Sequence, residues 1–525
     1  MRYSFRRVLW TRGMQAAAGA AVLTGLVLAG RLGAEEKDLA DLRSRLEALE
    51  KQNQEFLRKL EAAATPASLE SLADPSGFAA KDKAPARAGE GDKKAAEPAS
   101  WEVGKNLDFK VSWMNGLTAQ TADKAFRIHV GGRTQFDTVW MTAPGQVQFG
   151  PGGTGRIDDA FSFRRARFTI DGTIYEVIDF WCEYDFMNTF FADPAVANTP
   201  APTDLWVTFT KLPFLGNVRV GNQKPPICFE HLTSSRFLNF IERSFSFDAF
   251  IGGLDNGFRP GIQVFNWAFD ERVTYALGVF KNNTTVFGWN VGDGEYDVTG
   301  RVTCLPYYEH EGRCLLHLGL GASHRDTDDD TLRYRARTLL RNGPAVLHTP
   351  LADLRMLAGN ETLIVPELVV VLGPFLLQTE YFASFVNNVQ FPINPPAARR
   401  HRGSGFFQGY YIEALYFLTG EHRVYDRRYP RFDRIVPHEN FFYVDGHHGP
   451  IFGQGAWQVG ARYSWVDLSD SGINGGEVHD LTLGLNWFFN PNMKLQWNYS
   501  IARRDLDLGS DGVVQGFGMR LAWDF

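Results

Sequence analysis

From Phe126 to Phe525 the chain keeps a two-residue rhythm, and no other feature limits its fold as strongly. The last ten residues read GFGMRLAWDF. Phe517, Met519, Leu521, Trp523 and Phe525 fall on one side of a strand; Gly518, Arg520, Ala522 and Asp524 fall on the other. LTLGLNWFF sets Leu481, Leu483, Leu485, Trp487 and Phe489 against Thr482, Gly484, Asn486 and Phe488. After the turn NPN, Met493, Leu495, Trp497, Tyr499 and Ile501 oppose Lys494, Gln496, Asn498, Ser500 and Ala502. FRPGIQVFNWAF, RVTYALGVFKN, CLLHLGLGASH and FLLQTEYFASF follow the same habit less strictly. Neighbouring side chains of a strand point to opposite faces, so a period of two means strands with two unlike faces.

A water-soluble sandwich would use shorter strands and a dry interior. Here the runs are about 9 to 14 residues long, and one face carries Arg, Asp, Asn and Gln. A dry core does not tolerate such groups unpaired, so the apolar face belongs outside. Short connections (269–272, 372–375, 490–492) alternate with long polar ones near 189–203, 282–296, 324–360, 387–405, 469–477 and 505–512. Short turns at one rim, long loops at the other and apolar-out strands are the pattern of an outer-membrane β-barrel. Beyond the first 30 residues no run approaches the ~20 apolar residues of a membrane helix. Any crossing is therefore made by strands, which must close on themselves. Counting back from the C-terminus gives about sixteen. The expected fold over 101–525 is thus all-β, a transmembrane antiparallel barrel of about sixteen strands in outer-membrane lipid. Its terminal Phe525 resembles the signal read by the machinery that inserts such barrels. One connection breaks the pattern: residues 421–454 fall on the short-turn rim by parity, yet they are long and charged.

The N-terminus has a different character. Arg2, Arg6, Arg7 and Arg12 precede the apolar stretch from Ala16 to Gly30, which reads as a signal peptide over 1–34, cleaved after Ala34, with Gly30 as the alternative point. In residues 35–61, Leu39, Leu42, Leu46, Leu49, Asn53, Phe56 and Leu60 step by three and four. That is a coiled-coil seam with a register-fixing Asn at an a position. So short a helix is marginal alone in water, which implies a partner in the periplasm, another copy of the chain. Residues 62–100 are Ala, Pro, Lys, Glu and Asp with few large apolar residues, a solvated linker.

RVGNQKPPICFEHLTSSRFLNFIERSFSFDAF, from Arg219 to Phe250, resembles the phosphate-selective porin O and P family. The family pattern is a strand ending V-G-Q-x-K-x-P, then a Glu, then T-S-S-R-F and E-R-S. Here VGNQKPP carries one shifted residue and is followed by Glu230, TSSRF (233–237) and ERS (242–244). FSFRRARFTIDGTI resembles the family's RRAR strand, and YFLTGEHRVY, GAWQVGARYSWVDL and LTLGLNWFFNPNMKLQWNYS its last third. The resemblance spans 126–525 and leaves out the coiled coil. It implies a sixteen-stranded homotrimeric porin whose third extracellular loop folds inward as a constriction, a place held here by residues 225–257. It implies an arginine ladder along the lumen, and two serines and an arginine that touch the anion. On matching positions these are Ser234, Ser235 and Arg243, with Arg164 and Arg165 on the neighbouring strand. Asp204 matches a lumen aspartate, and RYRAR (333–337) resembles a further pair, Arg335 and Arg337.

The residues themselves allow this. Guanidinium groups present forked donors that fit phosphate oxygens and keep their charge. By strict alternation Arg165, Arg167, Thr169 and Asp171 face the lumen while Ala166, Phe168 and Ile170 face lipid, where an Arg would cost roughly 2–4 kcal/mol. The same phase places Arg164 outward. Other readings stay open: arginines opposite acids that only stiffen the pore, serines that cap the loop, and Arg243 paired with Glu242 or Glu230.

The chain's net charge is −6 and that of residues 101–525 is −8, with 38 Lys and Arg against 46 Asp and Glu. Nucleic acid is therefore excluded as the main partner, and anion preference depends on where the arginines sit. Four cysteines exclude a disulfide scaffold. Cys304 and Cys314 flank a hairpin and are either a cross-hairpin disulfide or free thiols. No histidine has metal-ligand spacing, no cofactor is called for, and no G-x-S-x-G or other catalytic motif points to an enzyme. The alternative role is a structural anchor, with the coiled coil tethering the outer membrane to peptidoglycan.

Overall fold

The computed structural model describes residues 107–187, 200–252, 257–281, 294–327, 330–341, 350–391, 401–446, 449–506 and 509–525. The signal peptide (1–34), coiled-coil helix (35–61) and linker (62–100) expected from sequence lie outside the described residues, as does the pair His447–His448.

A hairpin of β1 (Phe109–Trp113) and β2 (Leu117–Thr121) lies against the first residues of β3 (Arg127–Thr142). The barrel wall then runs through β4 (Ala160–Ile174), β5 (Ile178–Asp185), β6 (Ala201–Leu212), β7 (Gly216–Gln223), β8 (Arg259–Ala268), β9 (Val273–Lys281), β10 (Tyr296–Glu309) and β11 (Cys314–Asp326). A small hairpin, β12 (Thr331–Ala336) and β13 (Ala352–Leu357), interrupts it. The wall resumes with β14 (Asn360–Leu372), β15 (Phe375–Phe391) and β16 (His401–Phe417). The next connection carries two further hairpins, β17 (Tyr425–Asp426) with β18 (Arg431–Phe432) and β19 (Phe442–Gly446) with β20 (Gly449–Gly453). Then come β21 (Ala456–Asp467), β22 (Glu477–Asn490), β23 (Met493–Asp505) and β24 (Gly512–Asp524).

Among the described residues, sixteen of these strands form the wall, each antiparallel to its neighbour. The last pairs with the first, Asp524 opposite Arg133 and Gln515 opposite Thr142. Closure leaves no wall strand with an open edge, which a lipid environment requires. The chain is thus a closed sixteen-stranded antiparallel barrel. On β4, Phe168 is 43% exposed and its neighbour Arg167 only 7%, so the apolar side of the alternation faces out and the charged side faces in. On the outer surface rings meet across strands, Trp140 stacking on Phe517 at 5.9 Å.

At the seam, Phe525 donates its N–H to Gly132 O (3.0 Å) and accepts from Gly132 N–H (2.7 Å). Deleting Phe525 removes both bonds, about 2 kcal/mol at a net ~1 each. The expected result is a lower yield of heat-modifiable folded barrel on unboiled gels.

The lumen departs from a simple polar-inside rule. Phe382, Phe407, Tyr411, Val466 and Val478 point inward and are buried. They form one apolar cluster with Phe245, Phe247, Phe250 and Ile251 from the segment after β7, and with Leu339 and Leu351 from the β12–β13 loop. Loops that fold into a barrel need dry anchorage of their own, and the adjacent wall strands supply it from their inner face. The four cysteines are free. Cys304 stands opposite Leu318 and Cys314 opposite Glu309, so the two lie on different rungs of the β10–β11 ladder.

Candidate functional site

Residues 224–252 and 257–258, between β7 and β8, fold inside the barrel. Pro225 and Pro226 follow β7; a proline cannot donate to a ladder, so the strand stops there. The loop is then tied to the wall on several sides. Glu380 on β15 accepts the N–H groups of Phe229 (2.5 Å) and Glu230 (3.0 Å), the first turn of a four-residue helix. Glu230 in turn accepts the Ser244 hydroxyl at 2.8 Å. Ile241 donates its N–H to Asn498 on β23 (2.8 Å), and Phe245 to Ser464 on β21 (3.1 Å).

The strongest tie is Glu242. Its carboxylate accepts from Arg164 Nε (2.9 Å), from Arg520 Nη2 (2.8 Å) and, at 3.4 Å, from Arg165 Nη1. Two adjacent residues, Arg164 and Arg165, thus reach one carboxylate, which strict alternation forbids. A β-bulge is the reason. Gln135 pairs with Arg165 and Phe136 with Phe163, leaving Arg164 as the extra residue. The bulge shifts the phase by one, so the outward placement of Arg164 expected from alternation is corrected to an inward one, 4% exposed.

Ser234 and Ser235 sit at the loop's turn. Arg133 Nη1 donates to both hydroxyl oxygens, at 2.9 and 3.0 Å, while Nη2 binds Glu183 at 2.5 and 2.6 Å. A hydroxyl that accepts from a guanidinium keeps its own proton to donate. Arg133 was missed in the sequence reading. The signal was there, since Arg133, Gln135 and Asp137 share the inward phase of β3. Arg167 binds Asp185 (2.7 Å) and Glu183 (2.9 Å). Arg243 pairs with neither Glu242 nor Glu230 through a carboxylate. It donates to the Glu230 and Thr233 carbonyls (2.9 and 2.7 Å) and lies over the Phe247 ring. Asp204 accepts the Trp206 indole N–H at 3.0 Å.

Arg165, Arg167, Asp204, Ser234, Ser235 and Arg243 all line one cavity of about 440 Å³. Arg164, Arg335 and Arg337 do not. Arg337 lies just beyond β12, where its backbone and side chain bind Asp248 of the constriction loop, and Arg341 joins the same carboxylate at 3.0 Å. These two arginines fasten one infolded loop to another.

Part of the cavity's wall comes from the connection that sequence left unexplained. Residues 423–434 of it turn back into the barrel. Pro430 O accepts from Arg301 (3.1 Å), Phe432 N–H donates to Thr233 Oγ1 (3.3 Å), and Arg423 donates to Phe237 O. Burial, opposed by Glu413 and Asp433, lowers the Arg423 guanidinium to about 10, so it stays charged at neutral pH. Arg428, Arg431 and Arg434 of this segment face the cavity.

Among the described residues, twelve cationic side chains and three carboxylates line the cavity. The barrel's excess acid sits elsewhere, with Glu183 and Glu242 behind the guanidiniums they hold. Among the described residues Arg219, Lys224 and Arg243 line the cavity without a carboxylate salt bridge. Such a wall attracts anions, and forked guanidinium donors beside serine hydroxyls bind oxyanions without dehydrating them fully.

The family model for phosphate-selective porin O and P matches residues 143–525. Porin O of Pseudomonas aeruginosa is 26% identical over 442 residues, covering 78% of this chain and 91% of that protein. An uncharacterized protein of Caulobacter vibrioides is 25% identical over 495 residues, covering 92% and 89%. Among solved structures, an anion-selective porin from Comamonas acidovorans superposes with a TM-score of 0.42 at 13% identity, covering 76% of this chain and 100% of that one. The match spans nearly three quarters of the chain, including both the arginine strand and the constriction loop. The chain belongs to the phosphate-selective porin O and P family and forms an outer-membrane channel.

Proposed function

We propose that this channel passes small anions by diffusion and favours phosphate-like oxyanions at the Ser234–Ser235–Arg133 station. The observation that carries this is the cationic cavity inside a barrel whose overall charge is negative. Pore selectivity depends on lining groups, not on net charge. The family description supports the same preference. The channel works as a homotrimer and is assigned no catalytic activity.

Planar-bilayer recording tests the main reading. In a KCl gradient the reversal potential should have the sign of anion preference, and added phosphate should block chloride current. Arg165→Ala and Arg243→Ala should each lower the anion-to-cation permeability ratio, by about two- to fivefold if each removes ~0.5–1 kcal/mol of attraction at an effective dielectric near 20. Cation preference in the native channel would overturn the proposal.

A further inference from the structure

The inner wall toward the short-turn rim carries aromatic rings that an inorganic anion does not need. On β5 and β6, Trp181 and Trp206 have the inward phase of Glu183 and Thr208, and they stack at 6.0 Å with planes 22° apart. The interfacial girdle of a barrel places such rings on the lipid side; these two are on the other face. Arg219 lies over Trp206 at 3.8 Å, with Phe265 at 5.0 Å and Tyr429 at 5.8 Å from its guanidinium carbon. Trp206 is thus covered on both sides. Trp181, at the other end of the column, lines the cavity, and among the described residues its indole N–H has no hydrogen-bond partner.

A ring face is electron-rich and repels a bare anion, so Trp181 is a poor wall for inorganic phosphate. It suits a flat group instead. Trp181 is two residues from Glu183, about 7 Å along the strand, and Glu183 shares Arg133 with Ser234 and Ser235. An oxyanion station and a stacking face therefore lie one short spacer apart. They share a cavity of about 440 Å³, inside the roughly 300–1,000 Å³ range of sites that take small organic molecules.

We propose that the lumen holds a composite subsite for phosphate monoesters of aromatic rings, with the phosphate on Ser234, Ser235 and Arg133 and the ring on Trp181. This rests on the anion reading above and adds a solute class to it. The test is block of chloride current by inorganic phosphate, methyl phosphate and phenyl phosphate, which share the charged group and differ in the ring. Phenyl phosphate should block the native channel at a concentration about fivefold or more below that of methyl phosphate, the scale of one stacking contact. Trp181→Leu should bring the two esters to within about twofold while leaving block by inorganic phosphate unchanged, and Trp181→Phe should keep most of the difference. Equal potency of the two esters in the native channel, or an undiminished difference in Trp181→Leu, overturns the composite subsite and leaves the anion reading intact. Failure of all three to block overturns both.

Discussion

Glu242→Gln is expected to unfasten the constriction loop and destabilise the barrel by about 3–5 kcal/mol, the scale of breaking a buried ion pair from one side. The carboxylate lies 5% exposed amid Arg164, Arg165 and Arg520. Glutamine keeps the shape but removes the negative charge that Arg164, Arg165 and Arg520 share, while Asp137 still holds Arg520 Nε at 2.6 Å. These arginines come from β4 and β24, strands more than 300 residues apart in sequence, so the loop loses its grip on both sides of the seam at once. The urea midpoint of refolded protein in detergent micelles should fall. Single-channel conductance should rise and fluctuate as the loop leaves the lumen axis. Asp158→Asn serves as the control, because its pair with Arg156 is exposed and such pairs contribute about 0–1 kcal/mol. A Glu242→Gln channel with native midpoint and native conductance would show that the carboxylate is not what holds the loop.

Arg133→Ala should weaken phosphate block of chloride current about tenfold or more, since hydrogen bonds to charged groups contribute ~1.5–3 kcal/mol. One guanidinium here orients two hydroxyls and engages Glu183, a fork spanning loop and wall. Arg133→Lys separates charge from geometry. The ammonium restores the positive charge but is a point donor that does not span both serines and the carboxylate. The lysine variant should therefore keep the reversal potential of the native channel and still lose most of the phosphate block. If it blocks as well as the native protein, positive charge alone forms the station and the serines are bystanders.

Much of the fold was legible because strand alternation is a property of covalent geometry. Phe168 outside and Arg167 inside follow from the pleat alone, whatever the strand pairs with. The constriction loop was legible only through its motif. Its TSSRF and ERS pieces mark a place, but nothing in them tells that Arg243 grips two carbonyls while Glu242 gathers three arginines. The inward turn of Arg164 was hidden because a bulge is decided by the facing strand, β3, and not by the residues that bulge. The role of residues 421–454 was hidden for a similar reason. By sequence they are only a long charged connection; once the barrel encloses part of it, Arg428, Arg431 and Arg434 become lining.

What the sequence determined by itself was the sorting of side chains into two faces, and with it a closed sheet with lipid outside and charge within. Which of those charges are neutralised, and which are left facing the cavity, was decided by tertiary structure alone. Arg520 meets Asp137 and Glu242 only after closure, across separations of 383 and 278 residues. The physical reason is range. Alternation is written residue by residue along the chain, whereas the field inside the channel is a sum over groups brought together by the closing of the ring.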